Sequence, residues 1–194
     1  MMDDHKFPEL ETERLVLRQM TMDDLDFYFR HFSVEEIVVG SAYPAPANLE
    51  AARRELQMFI INLFEKGLGF RWGIIRKGEA KLIGTCGYYA WNKEACKAEI
   101  GYDLEPLFWG QGIMNEALSE MLRFGFEEMN LNRIQVKAAP YNERSIRLIR
   151  RLGFKKEGVM RDNFIFKGEL QDDILFSLLR SEWDEKRKKA AGIR

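Results

Sequence analysis

Cysteine and histidine, the residues that most often build metal centres, are scarce in this chain: it has two of each in 194 residues. Cys86 and Cys96 fall in or beside strand-like segments, and neither has a second Cys or His at metal-ligand spacing. They read as reduced, buried thiols, and no metal site is expected. An excess of one charge sign is also missing. The 30 lysines and arginines nearly balance 31 aspartates and glutamates, for a formal net charge of -1. A nucleic-acid footprint would show as a basic surplus or a clustered patch. The one basic run, Lys186-Arg187-Lys188-Lys189, reads as part of a solvated tail. No apolar stretch is long enough to span a bilayer. The charged opening Met1-Met2-Asp3-Asp4-His5-Lys6 lacks the apolar core of a secretory signal. These absences predict a cytoplasmic protein that binds neither nucleic acid nor membrane.

What is present suits a single globular unit. A chain of this length with 46% hydrophobic and 12% aromatic residues can bury a full core. One domain is expected over residues 1–194, with its core at about 10–183 and a flexible tail at 184–194. Alternation marks a first strand at 14–18. Thr21 then caps a helix with Asp23 and Asp24 in its first turn. Residues 34–46, with Gly40, Tyr43-Pro44 and Pro46, read as a loop. Asn48 caps a second helix reaching about residue 66. Strands follow at 70–76 and 82–89 as a hairpin around Lys77-Gly78-Glu79. A third strand at 98–104 leads through Glu105-Pro106 and a glycine turn into a long helix. Beyond it come a strand at 133–138, a helix at 145–152 stopped by Gly153, and two last strands around 155–166 and 170–179. The order is that of a mixed α/β sheet.

The most informative stretch is Phe108-Trp109-Gly110-Gln111-Gly112-Ile113-Met114-Asn115. A strand, a glycine turn and a helix start make an anion site. Glycine lets the backbone approach closely, and the first helical turn offers unpaired N–H groups and the positive end of its dipole. A phosphate or diphosphate is the expected ligand. The dinucleotide fingerprint is excluded because Asn115 stands at its third glycine and the preceding strands are hairpins. No Gly-Lys-Ser/Thr triplet exists for a triphosphate loop. A second segment, Asn142-Glu143-Arg144-Ser145 followed by Leu152-Gly153-Phe154, points the same way.

Together with Thr12-Glu13-Arg14-Leu15 and Ala98-Glu99-Ile100-Gly101-Tyr102, these motifs make the chain resemble the GNAT superfamily of acetyltransferases, over nearly its whole length. It is most similar to the RimJ/RimL branch, which acetylates N-terminal amines of ribosomal proteins. The resemblance implies a mostly antiparallel sheet, flanked by helices and splayed between its fourth and fifth strands, with acetyl-CoA (CoA) in the cleft. The pantetheine amides would bond to the free edge at Tyr102, Asp103 and Leu104 like an added strand. Backbone amides of Gly110, Gln111, Gly112, Ile113, Met114 and Asn115 would hold the diphosphate, and Asn142 would bond the pantetheine arm. There are departures. Trp109 replaces the usual Gln or Arg, and Met114 is bulkier than the small residue expected.

Acetyl transfer needs a neutral amine, a positioned thioester and a proton for the leaving thiolate. An α-amine, with a reference pKa of about 7.7–8.0, asks less of a base than a lysine at about 10.4. Glu99 is either a base acting through water or a structural residue paired with a neighbour. Tyr102 is a proton donor near the sulfur or a packed aromatic. The tyrosine common in the wider superfamily is Ile149 here, which closes that route. Ser145 matches the serine that fills the acid role in the resembling branch, with a helix cap as its plainer reading. The glutamate assigned as base in part of that branch corresponds to Phe164. His5 and His31 look uninvolved. The expected partners are acetyl-CoA and an amine, foremost a protein N-terminus. A polyamine, amino sugar or amino acid is the alternative, and a non-catalytic acyl-CoA sensor belongs to a different class. Exposed edge strands permit a homodimer.

Overall fold

Strand-forming residues dominate the middle of the chain and pair where their alternation predicts. The computed structural model describes residues 6–41 and 43–190, so His5 and the last four residues of the expected tail lie outside the described residues. β1 (Leu10–Glu11) and β2 (Leu15–Gln19) begin the sheet. β3 (Phe70–Arg76) and β4 (Leu82–Asn92) form the expected hairpin, with Phe70 opposite Tyr88 and Trp72 opposite Cys86. β5 (Lys97–Leu104) returns antiparallel to β4, and β6 (Arg133–Ala138) runs parallel to β5. The hairpin of β7 (Lys155–Phe166) and β8 (Glu169–Leu179) places β8 against β6. The result is one eight-stranded sheet, ordered β1-β2-β3-β4-β5-β6-β8-β7. It has one strand more than expected, because β1 is two residues long and too short to show an alternation.

The helices follow their caps. Thr21 and Asp24 form a capping box before α1 (Leu25–His31). Asn48 accepts the Ala51 N–H at the start of α3 (Leu49–Glu55), which runs through a widened turn at Leu56–Ile61 into α4 (Asn62–Glu65). The expected loop at 34–46 instead contains α2 (Glu35–Ser41). Gly40 falls in its last turn, and the buried Ile37 anchors it. α5 (Ile113–Glu127) follows the glycine turn, and α6 (Glu143–Leu152) ends at Gly153, which takes the left-handed φ of +106. The described chain ends in α7 (Arg180–Ala190), which takes in the start of the tail expected from residue 184. Lys186 Nζ donates to the Arg151 and Leu152 carbonyls at 2.8 and 3.0 Å, placing a cation at the negative end of α6. Arg187 pairs with Glu127. No described helix is long and apolar enough to cross a membrane.

Helices cover both faces of the sheet. On one face α5 and α6 bury Leu118, Met121, Leu122 and Ile149 against Phe70, Trp72, Tyr88 and Ile134. On the other, α1 and the widened turn after α3 pack Leu25, Phe27, Tyr28 and Leu56 over Ile75 and Leu82. Each buried aromatic or leucine contributes about 1.5–3 kcal/mol of transfer free energy. The tightest point lies where α5 crosses β4. The Tyr88 hydroxyl donates to the Met121 carbonyl at 2.8 Å, and a Cβ on Gly125 would stand 2.1 Å from that hydroxyl oxygen. Gly125→Ala should therefore overpack the core and cost about 1–3 kcal/mol. A lower urea midpoint at unchanged slope is the expected result.

Candidate active site

The site begins where β5 and β6 part. They pair at Lys97↔Arg133, Ala98↔Ile134 and Glu99↔Gln135, and no further. β5 then stays with β4 as far as Leu104, and β6 stays with β8 as far as Ala138. The extra β1 makes this the gap between the fifth and sixth strands. The Glu105 N–H donates to the Ile83 carbonyl at 2.8 Å, which fixes the phase of β5. Gly101 and Asp103 turn their main-chain groups to β4, whereas Tyr102 and Leu104 turn theirs to the opening. Trp109 Nε1 already donates to the Leu104 carbonyl at 2.7 Å. Asp103, expected on the free edge, therefore lies off it.

The glycine turn lies at the mouth of this opening. Gly110 and Gly112 both adopt φ +75, and Gly112 is the N-cap of α5 without any side-chain cap. Among the described residues, no amide from 110 to 115 donates a well-aligned hydrogen bond to a protein acceptor. A Cβ on Gly110 would meet nothing within 4 Å. Ile113 and Met114 point into the core at 2% and 8% exposure, so the bulk of Met114 is kept away from the turn. Gln111 folds its side chain back onto the Leu107 carbonyl at 2.9 Å. Asn115 is half-buried in the first turn of α5, where its carbonyl accepts the Ser119 hydroxyl at 2.7 Å. The opening Thr12-Glu13-Arg14 gains a physical role here. Thr12 Oγ1 and Arg14 Nε reach the two carboxylate oxygens of Glu116 at 2.5 and 2.6 Å, and Arg14 Nη1 donates to the Gln111 carbonyl at 3.2 Å. These bonds tie the connection between β1 and β2 to the first turn of α5. Burial raises the Glu116 carboxyl, but the bonds from Thr12 and Arg14 outweigh it and bring it below its usual value. On the other side, the Arg144 guanidinium stacks over Trp109, 3.1 Å from the ring centroid.

Inside the opening, Tyr102 and Ser145 meet, with their hydroxyl oxygens 2.7 Å apart. Ser145 is the third residue of α6. The N-cap is Asn142, whose Oδ1 accepts the Ser145 N–H at 3.1 Å, which leaves the serine hydroxyl for Tyr102. Asn142 Nδ2 donates to the Gly40 carbonyl at 2.8 Å, so α2 is fastened to α6 across the mouth. Burial pushes the Tyr102 phenol up to about 12, against the Ser145 bond that lowers it. Both hydroxyls are thus neutral near pH 7 and able to supply a proton. Ile149 is buried in the core, and Phe164 pairs with Gln171 on the outer hairpin.

The other face of the opening is polar. Glu99 is 6% exposed and takes bonds from Tyr89 Oη at 2.7 Å, Lys137 Nζ at 3.0 Å and Gln135 Nε2 at 3.2 Å. Its carboxylate clamps β4, β5 and β6 together at the point of divergence. The Asp103 carboxylate is buried against Arg71, accepts from Thr85 Oγ1, and lies 2.5 Å from His31 Nε2. His31, read as uninvolved, is thus buried in the site, and its Nδ1 finds no partner among the described residues. Burial raises the Asp103 carboxyl, but Arg71 and His31 more than offset this and hold it below its ordinary 3.8. A lowered folded-state value means that its stabilisation is present above 3.8 and is lost as the pH falls below it. Arg71 and Thr85 could have been suspected as polar residues on otherwise apolar strands. His31, 72 positions from Asp103, could not.

A mixed sheet opened between two parallel strands, with a bare helix start at its mouth, defines an acyl-CoA N-acyltransferase fold. Residues 14–155 match the acetyltransferase (GNAT) domain family, and the chain belongs to it. It is 40% identical over 174 residues to the uncharacterized N-acetyltransferase p20 of Bacillus licheniformis, across 90% of this chain and 97% of that one. It is 31% identical over 185 residues to the ribosomal protein uS5-alanine N-acetyltransferase of Escherichia coli, covering 90% and 92% of the two chains. Among solved structures, the ribosomal-protein-S5-alanine acetyltransferase of Vibrio fischeri superposes with a TM-score of 0.77 at 26% identity, over 91% of this chain and 99% of that one. The protein is an acetyl-CoA-dependent N-acetyltransferase. Acetyl-CoA supplies the acetyl thioester and a diphosphate. The open cradle at Gly110 and the unpartnered amides around it fit the diphosphate.

Two substitutions separate binding from chemistry. Gly112→Ala forces an L side chain to a positive φ at a cost of about 1–2 kcal/mol. Calorimetry should show acetyl-CoA affinity reduced roughly tenfold. If the Tyr102–Ser145 hydroxyls supply the thiol's proton, Ser145→Ala should lower kcat roughly 10²-fold with little change in the KM for acetyl-CoA.

Proposed function

We propose that the acceptor is the α-amine of a protein N-terminus, of the ribosomal-protein type. The observation that carries this reading is an open groove of about 410 Å³ at the start of α6, where Asn142 caps the helix that carries Ser145. Glu35, Glu36 and Val39 of α2 line one wall, and Tyr141 and Arg144 line the other. A groove open to solvent suits an extended chain whose remainder must leave the site, whereas compact ligands are usually enclosed on most sides. The E. coli relative, named for acetylating the alanine of a ribosomal protein, supports the same acceptor class. The chemistry agrees. An α-amine, at about 7.7–8.0, is partly neutral at physiological pH, while a lysine amine at about 10.4 is nearly all charged. The roles then follow from position. The amides of 110–115 hold the diphosphate, and Tyr102 aligns the pantetheine arm through its main-chain groups. The Tyr102–Ser145 pair protonates the departing sulfur.

Thiol release from acetyl-CoA should be followed with peptides bearing free N-terminal Ala or Ser. The same peptides blocked at the α-amine but carrying lysine, together with spermidine and glucosamine, complete the panel. The free N-termini are expected to exceed the rest at least tenfold in kcat/KM. Preference for spermidine or for a lysine side chain would overturn the reading.

A further inference from the structure

The polar face of the opening carries carboxylates from three strands, and all but one of those described here are paired. Glu99 is held by Lys137, Gln135 and Tyr89, and Asp103 by Arg71, Thr85 and His31. Glu157 of β7 pairs with Arg133 and also accepts from Ser177. Asp173 of β8 is the exception. Its Oδ2 accepts from Asn163 Nδ2 at 2.9 Å, while its Oδ1 accepts from no described residue, and no described cation lies within ion-pair distance. The registers place it. Glu99 pairs with Gln135 and Ala138 with Ile174, so Asp173 stands one residue past the end of β6, level with Asp103 across the opening. Gln135 opposes Ser177 and Lys137 opposes Leu175, so Asp173 shares their face by the period of two.

We propose that Asp173 binds the acceptor's ammonium and takes its proton. This rests on the α-amine reading above. A lone unpaired carboxylate suits one positive charge, which is what a peptide N-terminus brings. The charged and titratable groups facing it are Lys137 of β6, Glu99 of β5, Tyr89 of β4 and Tyr141 of the loop after β6. Burial raises the Asp173 carboxyl above its ordinary value, and Glu99 adds to this, while Asn163 and Lys137 pull it down. The rise brings it nearer the range of an α-amine.

The proton balance closes. Asp173 Oδ1 takes the first ammonium proton, directly or through one water, and passes it to solvent. The freed nitrogen lone pair forms the N–C bond as the thioester C–S bond breaks. The Tyr102–Ser145 pair gives the sulfur its proton, and the second proton lost from nitrogen restores the pair.

The test takes whichever amine the wild type turns over best, so it stands apart from the identity of the acceptor. Asp173→Asn should lower kcat/KM for that amine roughly 10²-fold and remove the acid limb of its pH profile. Acetyl-CoA affinity and melting temperature should be unchanged. Asp173→Glu should recover part of the rate, and Asp172→Asn, on the opposite face, should match wild type. Asn163→Ala removes the bond that favours the ionised carboxylate, so the acid limb should move to higher pH. This variant also decides the matter if Asp173→Asn does not fold. An Asp173→Asn enzyme within threefold of wild type with its acid limb intact would overturn the assignment. So would an unmoved limb in Asn163→Ala.

Discussion

Everything at this site depends on keeping two adjacent strands apart. A sheet gains by pairing every N–H and C=O, and an unpaired edge is normally a liability. Here β5 and β6 pair for three residues and then separate, so the cost must be met locally. The Asp103 network meets part of it. Asp103 of β5 bonds Thr85 of β4 and Arg71 of β3, and His31 of α1 closes over the carboxylate from above. Removing one member of a buried ion pair typically costs about 3–5 kcal/mol. The free half of β5 is therefore anchored from the side that still has a partner. Glu99 does the converse two pleat repeats earlier, where its bonds to Gln135 and Lys137 stop the gap from spreading.

With the gap fixed, the ends of two helices can be aimed into it. α5 is held by Glu116, which answers to Thr12 and Arg14 of the sheet edge, so the bare N–H groups behind Gly112 are set before any ligand arrives. α6 is held by Asn142, whose amide spans Ser145 and Gly40. Preorganisation of this kind lowers the ordering cost that binding would otherwise carry. The Arg144–Trp109 stack joins the two helix starts. It gives the aromatic ring of Trp109 a cationic partner across the mouth.

Local chemistry was legible in the sequence, and distant pairing was not. The capping roles of Thr21 and Asn48, the β3–β4 hairpin and the Gly153 stop each depend on a few neighbouring residues, and each stands in the structure. The glycine turn was legible for the same reason. α2 was read as loop because its glycine and the prolines after it outweigh a short helical run. Tyr102 and Ser145 were each singled out, but their contact joins residues 43 positions apart and follows from the tilt of α6 over β5. For Glu99 the sequence leaves a base acting through water and a structural residue paired with a neighbour both open; the neighbour it meets is Lys137, two residues beyond its strand partner Gln135. Asp103 was placed on the free edge from its strand alone. Its phase was fixed only by the Glu105–Ile83 bond.

That phase also arranges the chemistry. Successive side chains of a strand leave opposite faces. On β5, Tyr102 therefore falls on the α6 face with Ser145, and Glu99 and Asp103 fall on the face of α1 and β8. One face of the opening thus carries neutral hydroxyls, and the other carries carboxylates and cations. In the proposed chemistry the ammonium's first proton leaves toward the carboxylate face, while the sulfur takes its proton from the hydroxyl face. Mixing the two sets would put a carboxylate beside a departing thiolate, where like charges would oppose the bond breaking. A slip of one residue between β4 and β5 would exchange the faces. The Asp103–Thr85–Arg71 clamp makes that slip costly, so the register and the division of labour are held by the same contacts.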